Sequence, residues 1–326
     1  MARSSASIVT KWRAIPTGRV QVAADVSLHY VDVGPTARAA AGSSPIVLLH
    51  GWPDCGFAWR RVSNTTSPDL RGFGHSSAPA EQEAYGAKTI TSDLAKLLDD
   101  LSIDKAVFIG HDWGATMSWR MCIFFPDRVR AVCSIGIPYY PPTDEFIDAE
   151  AIAAMAPQFR YLKLLGDCEA TAGRLERAPT RFYNAVFHHT ARIPADLESI
   201  LLGVENGSEP WYSTPSSLLS TEERDYYVEQ AKTSGFLGGC RYYGARRLDF
   251  DQERELPQRQ ILQDALYIHV RQSVDEPDAS AVGGGMAAFV PRLETKAVDG
   301  SGHWVLWEKQ TDISALLLEW LARVAG

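Results

Sequence analysis

Residues 106–125 read AVFIGHDWGATMSWRMCIFF. The run opens with four apolar residues, Ala106 to Ile109, which do not alternate with polar ones and so predict a strand buried on both faces. A helical pattern follows from Ala115. Between the two, Gly110, His111, Asp112, Trp113 and Gly114 leave no length for a loop, so the chain turns sharply from strand to helix with Asp112 at the apex. An ordinary turn with an Asp helix cap fits the same letters, and the motif alone does not separate the two readings.

Outward from this turn, Ile46–Leu49, Ala131–Ile135 and Ala265–Ile268 are apolar runs of the same kind, whereas 26–33 alternates like a half-buried antiparallel strand. Helical patterns fall between them: apolar residues at 90, 94, 97, 98 and 101 mark one helix, and 312–324 closes the chain with another. Strand alternating with helix predicts an α/β, doubly wound, mostly parallel sheet. From Pro141 to Pro257 this rhythm stops in a stretch rich in aromatic residues. It reads as an inserted helical cap, residues 141–257, on a core made of 1–140 and 258–326.

The 326 residues carry 32 Lys+Arg against 40 Asp+Glu, a net charge of −8. That balance lacks the basic footprint of a nucleic-acid binder, and 45% hydrophobic residues supply a large core. No apolar run approaches the ~18 residues of a membrane span, and the N-terminus carries no apolar signal segment. The expected location is cytoplasmic. Cys55, Cys122, Cys133, Cys168 and Cys240 have no CxxC spacing and are expected as buried reduced thiols.

Two more motifs bear on Asp112. His50, Gly51, Trp52, Pro53 and Asp54 close the Ile46–Leu49 strand, in a turn that aims the Trp52 N–H at the point reached by the Trp113 N–H. Two converging amides make an oxyanion hole. Gly300, Ser301, Gly302, His303 and Trp304 precede the last helix and make His303 the candidate base. His188, His189 and His269 read as surface or packing residues. The acid partner should follow Ala265–Ile268, where Asp275 and Asp278 both stand. A carboxylate at the apex is chemically informative: a serine attacking saturated carbon leaves an ether, whereas Asp112 leaves an ester whose carbonyl activated water can attack. Epoxides or alkyl halides are therefore the expected substrates, and esterase or lipase chemistry is not.

HGWPD (50–54), DLRGFGHSSAP (69–79), FIGHDWG (108–114), FPDRVRAV (125–132) and GHW (302–304) match patterns of one family. From about residue 18 to its C-terminus the chain resembles the epoxide hydrolases of the α/β-hydrolase superfamily. The resemblance implies an α/β-hydrolase fold with a helical cap, and a soluble enzyme that needs no cofactor or metal. Its partners would be water and a small hydrophobic epoxide, turned over to a vicinal diol. It makes Asp112 the nucleophile, His303 the water-activating base and, by the family's spacing to that histidine, Asp275 the orienting acid with Asp278 in reserve. It also implies Tyr161 and Tyr243 as the acids for the epoxide oxygen, with Tyr242 one register away. A haloalkane or haloacid dehalogenase, which shares the Asp and His logic, is the alternative reaction, and an inactive ligand-binding member of the fold is the non-enzymatic alternative.

One segment departs from the resemblance. The family has a helical turn and an apolar strand after Trp59, where this chain has only RRVSNTTSP (60–68). The sequence thus predicts one interior strand missing, either as a real shortened loop or, the preferred reading, through loss of several residues from the chain as written.

Overall fold

The apolar runs become strands with both faces covered. In chain order the strands are β1 (Thr17–Ala23), β2 (Val26–Asp32), β3 (Ile46–Leu49), β4 (Thr66–Pro68), β5 (Ala106–His111), β6 (Val129–Ile135), β7 (Asp264–Arg271) and β8 (Leu293–Asp299). They form one eight-stranded sheet in the order β1-β2-β4-β3-β5-β6-β7-β8. The pairs β1–β2 and β2–β4 are antiparallel, and every pair from β4 onward is parallel. The computed structural model describes residues 6–32, 44–62, 65–189, 192–271 and 285–325.

The strand period of two sorts the core into layers. Val47, Leu49, Phe108 and Val132 pack on one face, and Leu48, Val107, Ile109, Ala131 and Cys133 on the other. The second layer is closed by Ile313, Leu317 and Trp320 of the C-terminal helix Gln310–Val324. The expected helices are present as Ala87–Asp100 and Trp113–Phe124. All five cysteines are buried and unpaired. No helix among the described residues is long and apolar enough to cross a membrane.

The strand expected to be missing after Trp59 is present. It is β4, three residues long, and it fills the place between β2 and β3. Tyr30, Val31 and Asp32 pair with Pro68, Ser67 and Thr66, and Val47 pairs with Thr66 on the other side. Thr-Ser-Pro does not read as a buried strand because two of its side chains are polar and the third is proline, yet all three positions are buried. Their hydroxyls find partners: Ser67 donates to the Gly56 carbonyl at 3.2 Å and Thr66 to the Asp32 carboxylate at 3.5 Å. The link is shortened, and the sheet is not interrupted.

Between β6 and β7 the described residues form helices and no strand. Helix Thr221–Ser234 begins with a capping box in which Ser220 and Glu223 satisfy each other's backbone N–H. Tyrosine hydroxyls from this segment reach into the loops at the strand ends: Tyr183 donates to Pro53 O at 3.0 Å, Tyr227 to Asp54 at 2.8 Å and Tyr242 to Arg71 O at 2.9 Å. The short link after Trp59 is held the same way. Arg60 donates from Nε to Glu223 at 2.9 Å, both side chains being buried, with the guanidinium 4.7 Å from the Phe57 ring centroid.

Removing one partner of a buried ion pair leaves the other charge unsatisfied. Arg60→Met should therefore lower unfolding stability by about 3 kcal/mol, and adding Glu223→Gln should recover part of that loss. Urea unfolding of the two single variants and the double checks this, and strict additivity would count against the pair.

Candidate active site

The strand order places a topological switch point between β3 and β5, because the connection from β3 leads to β4 on one side and that from β5 to β6 on the other. The two motifs that follow these strands therefore meet. Asp112 sits at the end of β5 with φ 54° and ψ −123°, a left-handed conformation strained for a residue with a side chain. Three glycines make room for it. A Cβ on Gly110 would lie 2.1 Å from Gly114 O, one on Gly114 2.1 Å from Leu49 O, and one on Gly51 2.4 Å from the Asp112 Cβ.

The plain helix-cap reading of Asp112 fails, since its side chain makes no capping bond. Instead Oδ1 accepts the Trp52 N–H at 2.8 Å, and the neighbouring Trp113 amide also favours the charged carboxylate. Burial pushes the Asp112 carboxyl above its ordinary range, against the pull of nearby His111 and of the two amides. The turn carrying Trp52 is itself pinned. His50 donates from Nδ1 to Gly51 O at 2.8 Å and accepts the Leu70 N–H at Nε2 at 2.9 Å. The Trp52–Pro53 peptide bond is cis.

His303 comes from the loop after β8, which turns at Gly300 with φ 66°. Its Nε2 lies 3.7 Å from Asp112 Oδ2, beyond hydrogen-bond length. Burial holds its imidazole down to about 4, so the ring is neutral at neutral pH. The loop is clamped on three sides. Ser301 N–H donates to Arg271 O at 3.2 Å, Trp304 Nε1 to Val186 O at 2.6 Å, and His111 Nε2 to the His303 carbonyl at 2.9 Å.

Tyr161 and Tyr243 stand edge to face with ring centroids 6.1 Å apart. Tyr243 also packs on Trp113 at 5.1 Å and Trp52 at 5.8 Å. Burial, with the Asp112 charge second, pushes both phenols above their ordinary value, so both keep their protons. Tyr242 is occupied elsewhere by its bond to Arg71 O. Six of the residues singled out from the sequence thus converge: Trp52, Asp112, Trp113, Tyr161, Tyr243 and His303. Asp275 and Asp278 lie outside the described residues. His188 is buried and stacks on His189, with centroids 4.6 Å apart, and His269 bonds the Tyr267 hydroxyl within β7. Sequence reading passed over His111, whose only signal was its place beside the apex. Among the described residues no three metal-ligating side chains cluster.

An acid at a strained strand-to-helix turn, a backbone amide on its carboxylate and a histidine in the loop after the last strand define a hydrolase of the α/β class. A family model described as "alpha/beta hydrolase fold" matches residues 44–310. The chain belongs to that family, within its epoxide hydrolases. It is 31% identical to "Epoxide hydrolase 2" of Siraitia grosvenorii, over 87% of this chain and 94% of that protein. It is also 31% identical to "Bifunctional epoxide hydrolase 2" of Rattus norvegicus over 91% of this chain, but it spans only 56% of that protein's length. Among solved structures, epoxide hydrolase A from Mycobacterium thermoresistibile superposes with a TM-score of 0.76 at 26% identity, covering 95% of this chain and 99% of the other.

His111 offers a test of the buried site. Its imidazole is held down to about 3 by burial, from an ordinary 6.5. Below pH 6.5 the unfolded chain therefore takes up a proton that the folded chain refuses. The stability associated with a neutral His111 is complete above that pH and falls by about 1.4 kcal/mol per unit of acidification below it. In His111→Gln, unfolding free energy between about pH 6 and pH 4 should fall less steeply by that amount. Equal slopes in parallel urea titrations would refute a buried neutral histidine.

Proposed function

We propose that this chain is an epoxide hydrolase working through a covalent ester on Asp112, with residues 141–257 acting as a cap over a core of 1–140 and 258–326. The observation that carries the reading is the contact between Asp112 Oδ1 and the Trp52 amide, with Tyr161 and Tyr243 close enough for the Asp112 charge to act on both phenols.

The arrangement divides the two carboxylate oxygens. Oδ1 is held by the amide, while Oδ2 is the oxygen nearer His303. In the first step Oδ2 attacks a ring carbon of the epoxide as Tyr161 and Tyr243 donate hydrogen bonds to the ring oxygen. The carbon–oxygen ring bond breaks, the oxygen takes a phenolic proton, and a hydroxyalkyl ester remains. In the second step His303 takes a proton from water, whose oxygen adds to the Asp112 carbonyl carbon. The charge that develops on Oδ1 falls where the N–H groups of Trp52 and Trp113 already point. The tetrahedral centre then collapses, the alcohol leaves with Oδ2 and the His303 proton, and the phenolate is reprotonated. The product is a vicinal diol, and Asp112 keeps the oxygen from water. Asp275 is proposed to orient His303.

Attack on an alkyl halide would use the same Asp112. The two phenols beside Asp112, both held in their protonated form, favour the epoxide.

Multiple turnovers in 18O-labelled water should place label in Asp112, and an unlabelled Asp112 in a working enzyme would sink the covalent route. Tyr161→Phe and Tyr243→Phe should each slow ester formation by about 10²-fold, with the double variant slower still. Measuring chloride release beside diol formation separates the dehalogenase, which would lose little with either tyrosine.

A further inference from the structure

Two arginines near the site are gripped by both oxygens of a carboxylate. Arg71 donates to Asp93 at 2.8 and 2.7 Å, and Arg120 to Glu253 at 2.6 and 2.9 Å. Arg246, which is half-buried, has no such partner among the described residues. Its Nη2 donates to Ile147 O at 3.0 Å, while its Nε is buried without a hydrogen-bond partner among the described residues. The two carboxylates whose charge it feels are engaged elsewhere, each at the start of a helix: Asp249 accepts the Ala87 N–H at 2.6 Å and Asp148 the Ala151 N–H at 2.8 Å. Burial pulls the Arg246 guanidinium below its ordinary range against both of them, whereas at Arg71 and Arg120 burial is overcome by Asp93 and Glu253. A cation partly removed from water, with one edge of its planar fork unmatched, is costly unless an anion completes it.

The fold sets that fork beside the two phenols. Helix Leu237–Gly244 runs into helix Arg246–Glu253 through Ala245, whose N–H donates to Arg241 O at 3.0 Å and whose carbonyl accepts the Asp249 N–H at 2.8 Å. The winding is unbroken, so Arg246 follows Tyr243 by three positions on one helical face, with Cβ atoms roughly 5–6 Å apart. The Arg246 charge also acts on Tyr161. Tyr161 and Arg246 are half-buried whereas Tyr243 is 5% exposed, so the side of the phenol pair open to solvent is the one Arg246 shares.

We propose that Arg246 binds the carboxylate of an acidic epoxide, one whose carboxylate stands close to the ring that Tyr161 and Tyr243 hold. The site thus takes epoxy acids, a substrate class that rests on the epoxide reading above. Two considerations favour a carboxylate. An anion brought close to an ionised Asp112 needs a cation beside it. Arg246 offers a single positive charge with Asp148 and Asp249 nearby, which suits one negative charge and disfavours the two of a phosphate.

The test compares acids with neutral molecules of the same shape. The probes are trans-3-phenylglycidate and trans-4-phenyl-3,4-epoxybutanoate, each beside its primary amide, with styrene oxide as reference and diol formation as the readout. The unaltered chain should favour at least one acid over its amide by about ten-fold in kcat/KM. Arg246→Met and Arg246→Gln should abolish that preference, chiefly through KM for the acid. The second variant can still donate to Ile147 O and serves if the first does not fold; if neither folds, the acid-to-amide ratio of the unaltered chain decides alone. Equal turnover of acids and amides by the unaltered chain, or a preference that survives both substitutions, overturns the carboxylate site. An equal loss for acid and amide means that Arg246 serves Tyr161 and not the substrate, and overturns it too. If styrene oxide is opened while neither acid is preferred, only this inference falls. If the unaltered chain opens none of the epoxides, the epoxide reading falls first and this one with it.

Discussion

The hydrogen bond from the Trp52 amide to Asp112 Oδ1 joins the ends of β3 and β5, and much of the site depends on it. It forms only if a residue with a side chain holds φ 54° at the apex and the two turns touch without intervening Cβ atoms. Gly51, Gly110 and Gly114 meet that second condition, each at a contact where an added Cβ would fall within 2.4 Å of a neighbour. The first condition is met by the scaffold. Parallel pairing of β3 with β5 is continuous from Ile46 and Val107 to Leu49 and Gly110, so the strand ends cannot slide apart. Strain at Asp112 is thus held by a sheet buried on both faces.

The segment between β6 and β7 is attached to that site by buried hydroxyls as well as by apolar contact. Tyr183, Tyr227 and Tyr242 each bury an aromatic body and place the O–H on an acceptor in the loops at the strand ends. Neighbouring Tyr243 instead packs on Trp52 and Trp113. Adjacent residues on a helix point about 100° apart, so one tyrosine can fasten the helix while the next faces the acid. The Arg60–Glu223 pair extends the same fastening to the short link after Trp59.

What is legible in the sequence follows burial. Strands covered on both faces, such as Ile46–Leu49, are uniformly apolar and stand out, and the site motifs stand out because glycine is demanded where backbones nearly touch. The edge strand β8 is hidden, since Leu293–Asp299 is half-exposed and carries charges. β4 is hidden for a different reason. Its hydroxyls pair with Asp32 and Gly56, so a buried strand was written in polar letters and its presence depended on partners far along the chain. The same limit explains His111, whose bond to the His303 carbonyl spans 192 positions.

Burial acts in opposite directions on the acid and the histidine, and the donors around Asp112 offset part of its effect on the acid. Desolvation favours a protonated Asp112 and a neutral His303. The proposed nucleophile needs the reverse at the acid, and the amides of Trp52 and Trp113 work against burial by favouring the carboxylate. In the proposed covalent route, formation of the ester removes the charge on Asp112 and leaves the same amides facing a neutral carbonyl. They are then better matched to the oxyanion that water addition would create than to the ester itself, which is the condition for lowering a barrier. His303, already neutral, needs no proton loss before it can accept one from water. In the proposed route a single set of fixed dipoles thus serves both steps, first by favouring the ionised acid and then by receiving the charge back on the same oxygen.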